Sequence, residues 1–115
     1  MIETTDLLNT LIKEDGPLLI DSIGGFVMES IDKEITEWII KMNSLIKLLK
    51  KRRSLTFIVG EQVGWGLVSE YKIGNTYIER IGELQKRITK ISKDNWLAIN
   101  GRAIKIDELS LEIPN

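Results

Sequence analysis

The sequence predicts an α/β fold: a mainly parallel sheet, closed at its C-terminal end by an antiparallel hairpin. Three observations predict it. Short apolar runs at 18–20, 55–59 and 96–99 alternate with longer segments of helical apolar spacing, the order that gives right-handed βαβ crossovers. The first two runs stop abruptly, one in Asp21 and the other in Gly60 followed by Glu61 and Gln62, as strands do at the carboxyl edge of an open parallel sheet. Asn100-Gly101 lies between two apolar runs, the strongest short hairpin signal.

Residues 1–14 read as a short helix capped by Thr4 or Thr5, with Leu7, Leu8, Leu11 and Ile12 on one stripe. Asp15-Gly16-Pro17 ends it, because glycine suits the position after a helix and proline cannot continue one. Leu18, Leu19 and Ile20 then form a strand expected to be buried on both faces. It ends in Asp21, the position at which a Walker-B acid holds Mg²⁺; aspartate also caps turns. Gly24-Gly25 permits a sharp turn, and Phe26, Val27 and Met28 pack back onto the sheet.

Asp32 can cap the next helix, with Glu34 in its first turn. Ile35, Trp38, Ile39, Met42, Leu45, Ile46 and Leu49 repeat at helical spacing to about Lys51. Its basic end, from Lys47 to Arg53, reads as a solvated helix terminus that complements the macrodipole. The strand 55–59 follows, and then a loop with Gly60, Gly64 and Gly66 around Glu61, Gln62 and Trp65. Glycine lets the backbone turn and a ligand approach closely. The same residues also make a tight structural turn with Trp65 as a lid on the core. Thr76 and Glu79 form a capping box for a third helix, with Tyr77, Ile81, Leu84, Ile88 and Ile91 as its stripe. The runs 96–99 and 103–106 complete the hairpin, and 107–115 reads as a loose acidic tail.

The 115 residues suffice for one domain with one core. A net charge of -1 gives no field favouring nucleic acid. Cysteine and histidine are both absent. Thiolate chemistry, Ser-His-Asp and Cys-His nucleophiles, and imidazole metal ligands are therefore excluded. No apolar run approaches the ~18–20 residues of a membrane helix, and no signal peptide is visible, so the expected compartment is the cytoplasm. The sheet is short for its helices. The strand ending in Asp21 invites a neighbour on its other side, and residues 1–17 offer none. An open edge of this kind is covered by another chain or promotes association.

LLIDS at 18–22, VGEQVGWGLVSE at 59–70, the segment 74–82 and WLAINGRAIKI at 96–106 occur in one order and at matching separations. Over about residues 4–109 they resemble the C-terminal portion of the bifunctional adenosylcobinamide kinase / adenosylcobinamide-phosphate guanylyltransferase family. The resemblance implies a RecA-like P-loop fold that assembles as an oligomer. It implies phosphorylation of the aminopropanol arm of adenosylcobinamide with GTP or ATP and Mg²⁺. GMP transfer to that phosphate through a guanylyl-histidine would follow, in cobalamin biosynthesis. Asp21 matches the acid at the end of the Walker-B-like strand, with an expected role on the nucleotide or its Mg²⁺. Glu61 and Gln62 occupy a polar nucleotide-binding pair, with Gln62 in place of the usual Glu. Gly64, Gly66 and Glu70 match, and Gly74, Tyr77 and Gly82 match in kind. Ser69 stands for a common Pro, Glu79 for a common Asp, and Gln85-Lys86 for a usual Asn-Gln pair. Asn75 and Ile78 stand where arginines are typical, and arginine's bidentate phosphate grip has no substitute in either.

The chain has no Gly-Lys-Ser/Thr after any glycine and no histidine. The expectation is therefore one partial domain over 1–115 that lacks the N-terminal P-loop half and is inactive alone. Its expected partners are the corrinoid substrate and either further copies or a chain carrying the missing half. The alternative is a degenerate, non-catalytic interaction or regulatory module. A plain α/β domain with only a structural likeness is the third reading.

Overall fold

The computed structural model describes residues 6–60 and 72–109. The first helix, α1 (Leu7–Lys13), is capped by Asp6, whose Oδ1 accepts from the Asn9 N–H at 3.2 Å. Asp6 therefore fills the role expected of Thr4 or Thr5, which lie outside the described residues. Strand β1 (Leu18–Asp21) follows, then α2 (Gly24–Glu29), α3 (Ile35–Lys51) and β2 (Thr56–Val59). The segment expected to pack back on the sheet is thus a helix, which buries Phe26 and Val27 and exposes Met28. Asp32 does not cap α3. Residues 30–33 turn the chain after α2, with the Ile31 N–H on the Met28 carbonyl and the Lys33 N–H on that of Ser30. This turn moves the start of α3 to Ile35, behind Glu34, which makes no side-chain cap bond.

Strands β1 and β2 pair in parallel with Leu18 beside Thr56 and Asp21 beside Val59. Burial on both faces is not found. Leu18 and Ile20 are buried, whereas Leu19 and Asp21 are exposed, and Phe57 is 59% exposed. Side chains alternate across a strand, and the described helices cover one face only.

Helix α4 (Lys72–Ile91) begins a turn before the predicted capping box, so Thr76 and Glu79 lie inside it. A cap contributes about 1 kcal/mol. The burial of Ile81, Leu84 and Ile88 on one stripe outweighs it, at roughly 1.5–3 kcal/mol for each side chain. Strands β3 (Trp96–Ile99) and β4 (Arg102–Lys105) form the expected hairpin. Asn100 and Gly101 have φ of 51° and 73°, the two positive values that a type I′ turn requires. A short helix, α5 (Ile106–Leu109), replaces the first part of the expected loose tail.

Among the described residues the single mainly parallel sheet is not formed. Among the described residues β1 pairs only with β2 and β3 only with β4. A two-residue connection closes the hairpin at far less entropic cost than a crossover to β2. The fold is a mixed α/β arrangement with one parallel pair and one antiparallel hairpin.

The core is helical in origin. Leu7 and Leu11 meet Trp38, Met42, Leu45 and Ile46 of α3, and α4 closes over α2 and α3. Phe26 packs on Trp38 with ring centroids 5.9 Å apart. Arg52, expected in a solvated terminus, instead ties elements together. Its guanidinium donates to the carbonyls of Glu14 and Gly16, and its Nε donates to Thr56 Oγ1 at 2.9 Å. This holds the turn after α1 against the start of β2.

Candidate functional site

The parallel register ends both strands level, with Asp21 opposite Val59. After Asp21 the chain crosses the end of β2, where the Ile23 N–H donates to the Val59 carbonyl at 3.3 Å. Ser22 Oγ accepts from the Gly24 N–H at 3.3 Å, which shapes the turn into α2. Asp21 therefore stands exposed at the carboxyl edge, beside a tight turn. Gly60 is the next residue after β2, and the Gln85 side chain of α4 lies against it. A Cβ on Gly60 would overlap the Gln85 amide, with Cδ at 3.2 Å. The overlap is with the far end of a flexible side chain, so a Cβ at residue 60 would be met by a shift of Gln85.

A groove of about 290 Å³ opens at this edge. It takes in residues 18–22 together with Leu7 and Thr10 of α1 and Phe26 and Glu29 of α2. Of the predicted site residues, Asp21 lies on this groove. Glu61, Gln62, Gly64 and Gly66 lie outside the described residues, as does Trp65. Sequence reasoning did not assign Glu29, Thr10 or Gln85 to the site. Glu29 is the last residue of an otherwise apolar helix with no motif around it, and Gln85 lies among polar residues of α4 that carry no pattern.

Among the described residues no three acidic, histidine or cysteine side chains converge on a metal position. One carboxylate at a strand end suits an Mg²⁺ that keeps most of its ligands as phosphate oxygens and water. Asp21 is the described residue that would hold such an ion.

The strand-end carboxylate, the glycine that follows the second strand and the four ordered motifs have a common counterpart. The sequence model of the cobinamide kinase / cobinamide phosphate guanyltransferase family matches residues 1–106. The chain belongs to that family. The cobinamide kinase / cobinamide phosphate guanyltransferase family implies transferase chemistry in cobalamin biosynthesis, with nucleotide substrates and a corrinoid acceptor. No curated protein shows a significant match to the chain. Among the described residues no helix is long and apolar enough to cross a membrane.

Proposed function

We propose that the chain supplies one wall of a nucleotide and corrinoid site for the phosphorylation of adenosylcobinamide and the transfer of GMP to its phosphate. The observation that carries this reading is the placement of Asp21, exposed at the carboxyl end of β1 and level with the strand that leads into Gly60. In an open parallel sheet that edge is where phosphate-bearing ligands bind. Asp21 acts on the nucleotide or its Mg²⁺, and Glu61 and Gln62 extend the same wall. Gly64 and Gly66 let the loop backbone approach the ligand. The fold is that part of a RecA-like P-loop domain which lies around the Walker-B-like strand. The 115 residues contain neither a Gly-Lys-Ser/Thr phosphate loop nor a histidine. Both functions come from residues outside them, in cis or in trans.

The test is a titration of the isotope-labelled chain with GTP or ATP and Mg²⁺. The expected result is movement of the Asp21 and Gly60 amide resonances. Asp21→Ala is expected to weaken binding about tenfold, the effect of one charge-assisted contact, and to leave the melting temperature unchanged. Adding a polypeptide that carries the phosphate-loop half should restore nucleotide-dependent phosphorylation of adenosylcobinamide. The absence of both effects sinks the reading. The second reading, a non-catalytic module, is favoured by the missing histidine and by Gln62, Asn75 and Ile78. A stable homo-oligomer that ignores nucleotide would select it.

A further inference from the structure

The chain has six asparagines, at 9, 43, 75, 95, 100 and 115, and the fold treats them unequally. Asn9, Asn43 and Asn75 lie inside α1, α3 and α4. In a helix the N–H of the following residue is bonded to a carbonyl four positions back, as the Thr10 N–H is to Asp6 at 3.1 Å. The side chains of Asn9 and Asn43 are held as well, by Asp6 and Arg87. Asn95 donates its side-chain amide to the Thr89 carbonyl at 3.2 Å and to Asp107 at 2.9 Å. Asn115 lies outside the described residues. Asn100 has none of these restraints among the described residues. It is exposed, and the ladder closes at the pair Ile99–Arg102, which leaves the Gly101 N–H outside it. Gly101 has no Cβ to shield that nitrogen. Among the described side chains the hairpin contributes none to the core, so it opens locally without the rest of the molecule.

We propose that Asn100 is a site of spontaneous covalent modification, at which the side-chain amide is lost and part of the population has its main chain rerouted through the side chain. The Gly101 nitrogen gives its proton to a solvent base and attacks Cγ of Asn100. The N–Cγ bond forms, the Cγ–Nδ2 bond breaks, and Nδ2 takes a proton from solvent and leaves as ammonia. The product is a cyclic imide, in which the Gly101 nitrogen is bonded to both Cγ and the carbonyl carbon of residue 100. Water then opens it. Cleavage of the N–Cγ bond gives aspartate in an ordinary chain. Cleavage at the carbonyl carbon gives isoaspartate, whose main chain runs through Cβ and Cγ. Intramolecular attack is fast once the atoms are in position, so the rate follows the freedom of residues 100 and 101. The products differ in consequence. Asp-Gly suits the same type I′ turn, so the hairpin survives the first. Isoaspartate inserts a further carbon into the backbone, and the turn no longer matches the twist of β3 and β4. The second product therefore unpairs the hairpin, slowly and irreversibly. The change draws on no nucleotide and stands apart from the function proposed above.

The test keeps the full chain in mildly basic buffer for several weeks, with samples cut by trypsin. The fragment 94–102 holds Asn95 and Asn100 together, so each sample carries its own reference. Tandem mass spectrometry reads the amide-to-acid mass gain at each asparagine, and chromatography separates aspartate from isoaspartate. Conversion at Asn100 is expected to run at least about tenfold faster than at Asn95 or Asn43. Gly101→Ala should slow it at least about tenfold, because a Cβ crowds the attacking nitrogen. A variant that merely loosened the hairpin would speed the conversion, so the direction of the change separates attack from stability. The purified isoaspartyl chain should show amide exchange in β3 and β4 at least about tenfold faster, with α3 unchanged. Asn100→Asp should stay within about threefold of the parent chain in the same strands. Equal rates at Asn95 and Asn100 overturn the proposal, as does an Asn100 that stays intact. Faster conversion in Gly101→Ala overturns it too, and so does an isoaspartyl chain whose hairpin exchanges at the parent rate.

Discussion

A buried guanidinium without a carboxylate needs its charge spread over dipoles, and Arg80 has such a setting. It is buried and donates to the Ser30 carbonyl at 2.6 Å and the Lys33 carbonyl at 2.7 Å. It also stacks 5.6 Å from the Trp38 ring centroid. The Ser30 carbonyl belongs to the C-terminal end of α2, where the helix dipole favours a cation. Arg80→Ala removes one of the two donors to the Ser30 carbonyl, takes the guanidinium from the Lys33 carbonyl and empties the contact with Trp38, so a loss of roughly 2–4 kcal/mol is expected by urea denaturation. Arg80→Lys should recover less than half of that loss, since an ammonium cannot reproduce the fork. At the surface, Asp107 takes the Asn95 side-chain amide at 2.9 Å and its backbone N–H at 2.7 Å. These bonds from Asn95 hold the Asp107 carboxyl below its ordinary value. A depressed carboxyl stabilises the fold fully above the ordinary value of about 3.9 and loses that contribution as pH falls through the lowered one. Protection of the Asn95 amide, the slowing of its exchange relative to an unstructured chain at the same pH, should therefore be steady above about pH 5 and fall below about pH 4. Asp107→Asn should abolish that dependence. Neither residue was legible in the sequence. Arg80 sits among charged neighbours in α4, and only the three-dimensional approach of α2 gives it partners.

At the scale of elements, sequence periodicity carried the long helices and the hairpin. The stripe of α3 places Trp38, Met42, Leu45 and Ile46 in the core as read. Helix ends were less legible, because caps are worth little beside packing. Asp32 and Thr76 are good cap residues, and both were overruled by what lies next to them in space. Among the described side chains the β3–β4 hairpin contributes none to the buried core, and Trp96 is 60% exposed. Its stability is therefore local. Gly101→Ala, at a φ of 73°, should cost about 1 kcal/mol. Amide exchange should register that cost in β3 and β4 and leave α3 unchanged. A uniform change across both would show that the hairpin and the core open together.

Across the whole molecule one cluster joins α1, β1, α2, α3 and α4. Leu84 is fully buried within it. Leu84→Ala should cost roughly 2–5 kcal/mol out of a domain stability of about 5–15 kcal/mol. Exchange should accelerate together in all five elements, since they share one core. Sheet architecture was the least legible feature. Each apolar run did form a strand, but which strands pair depends on chain closure and on neighbours that no local pattern encodes. The open edge beside Asp21 was legible, because it follows from counting strands. The placement of Gln85 against Gly60 was not, since a close approach leaves no mark on a polar helix face.

The parallel pair also has a history during synthesis. Arg52 reaches back to the Glu14 carbonyl across 38 positions of sequence, and β2 emerges later still. At a translation rate of roughly 5–20 residues per second, β1 waits about 2–8 s before its partner strand exists. Through that interval both edges of Leu18–Asp21 are bare, and any extended segment in reach competes with β2 for them. The hairpin faces no such delay, because its strands leave the ribosome one after the other and close in microseconds. Thr56 and Arg52 arrive together, so the clamp on the Glu14–Gly16 turn and the first rung of the ladder form as one event. A nascent chain stalled before residue 52 therefore presents both edges of β1 to whatever binds extended polypeptide, and one stalled well beyond residue 59 has the β2 side closed.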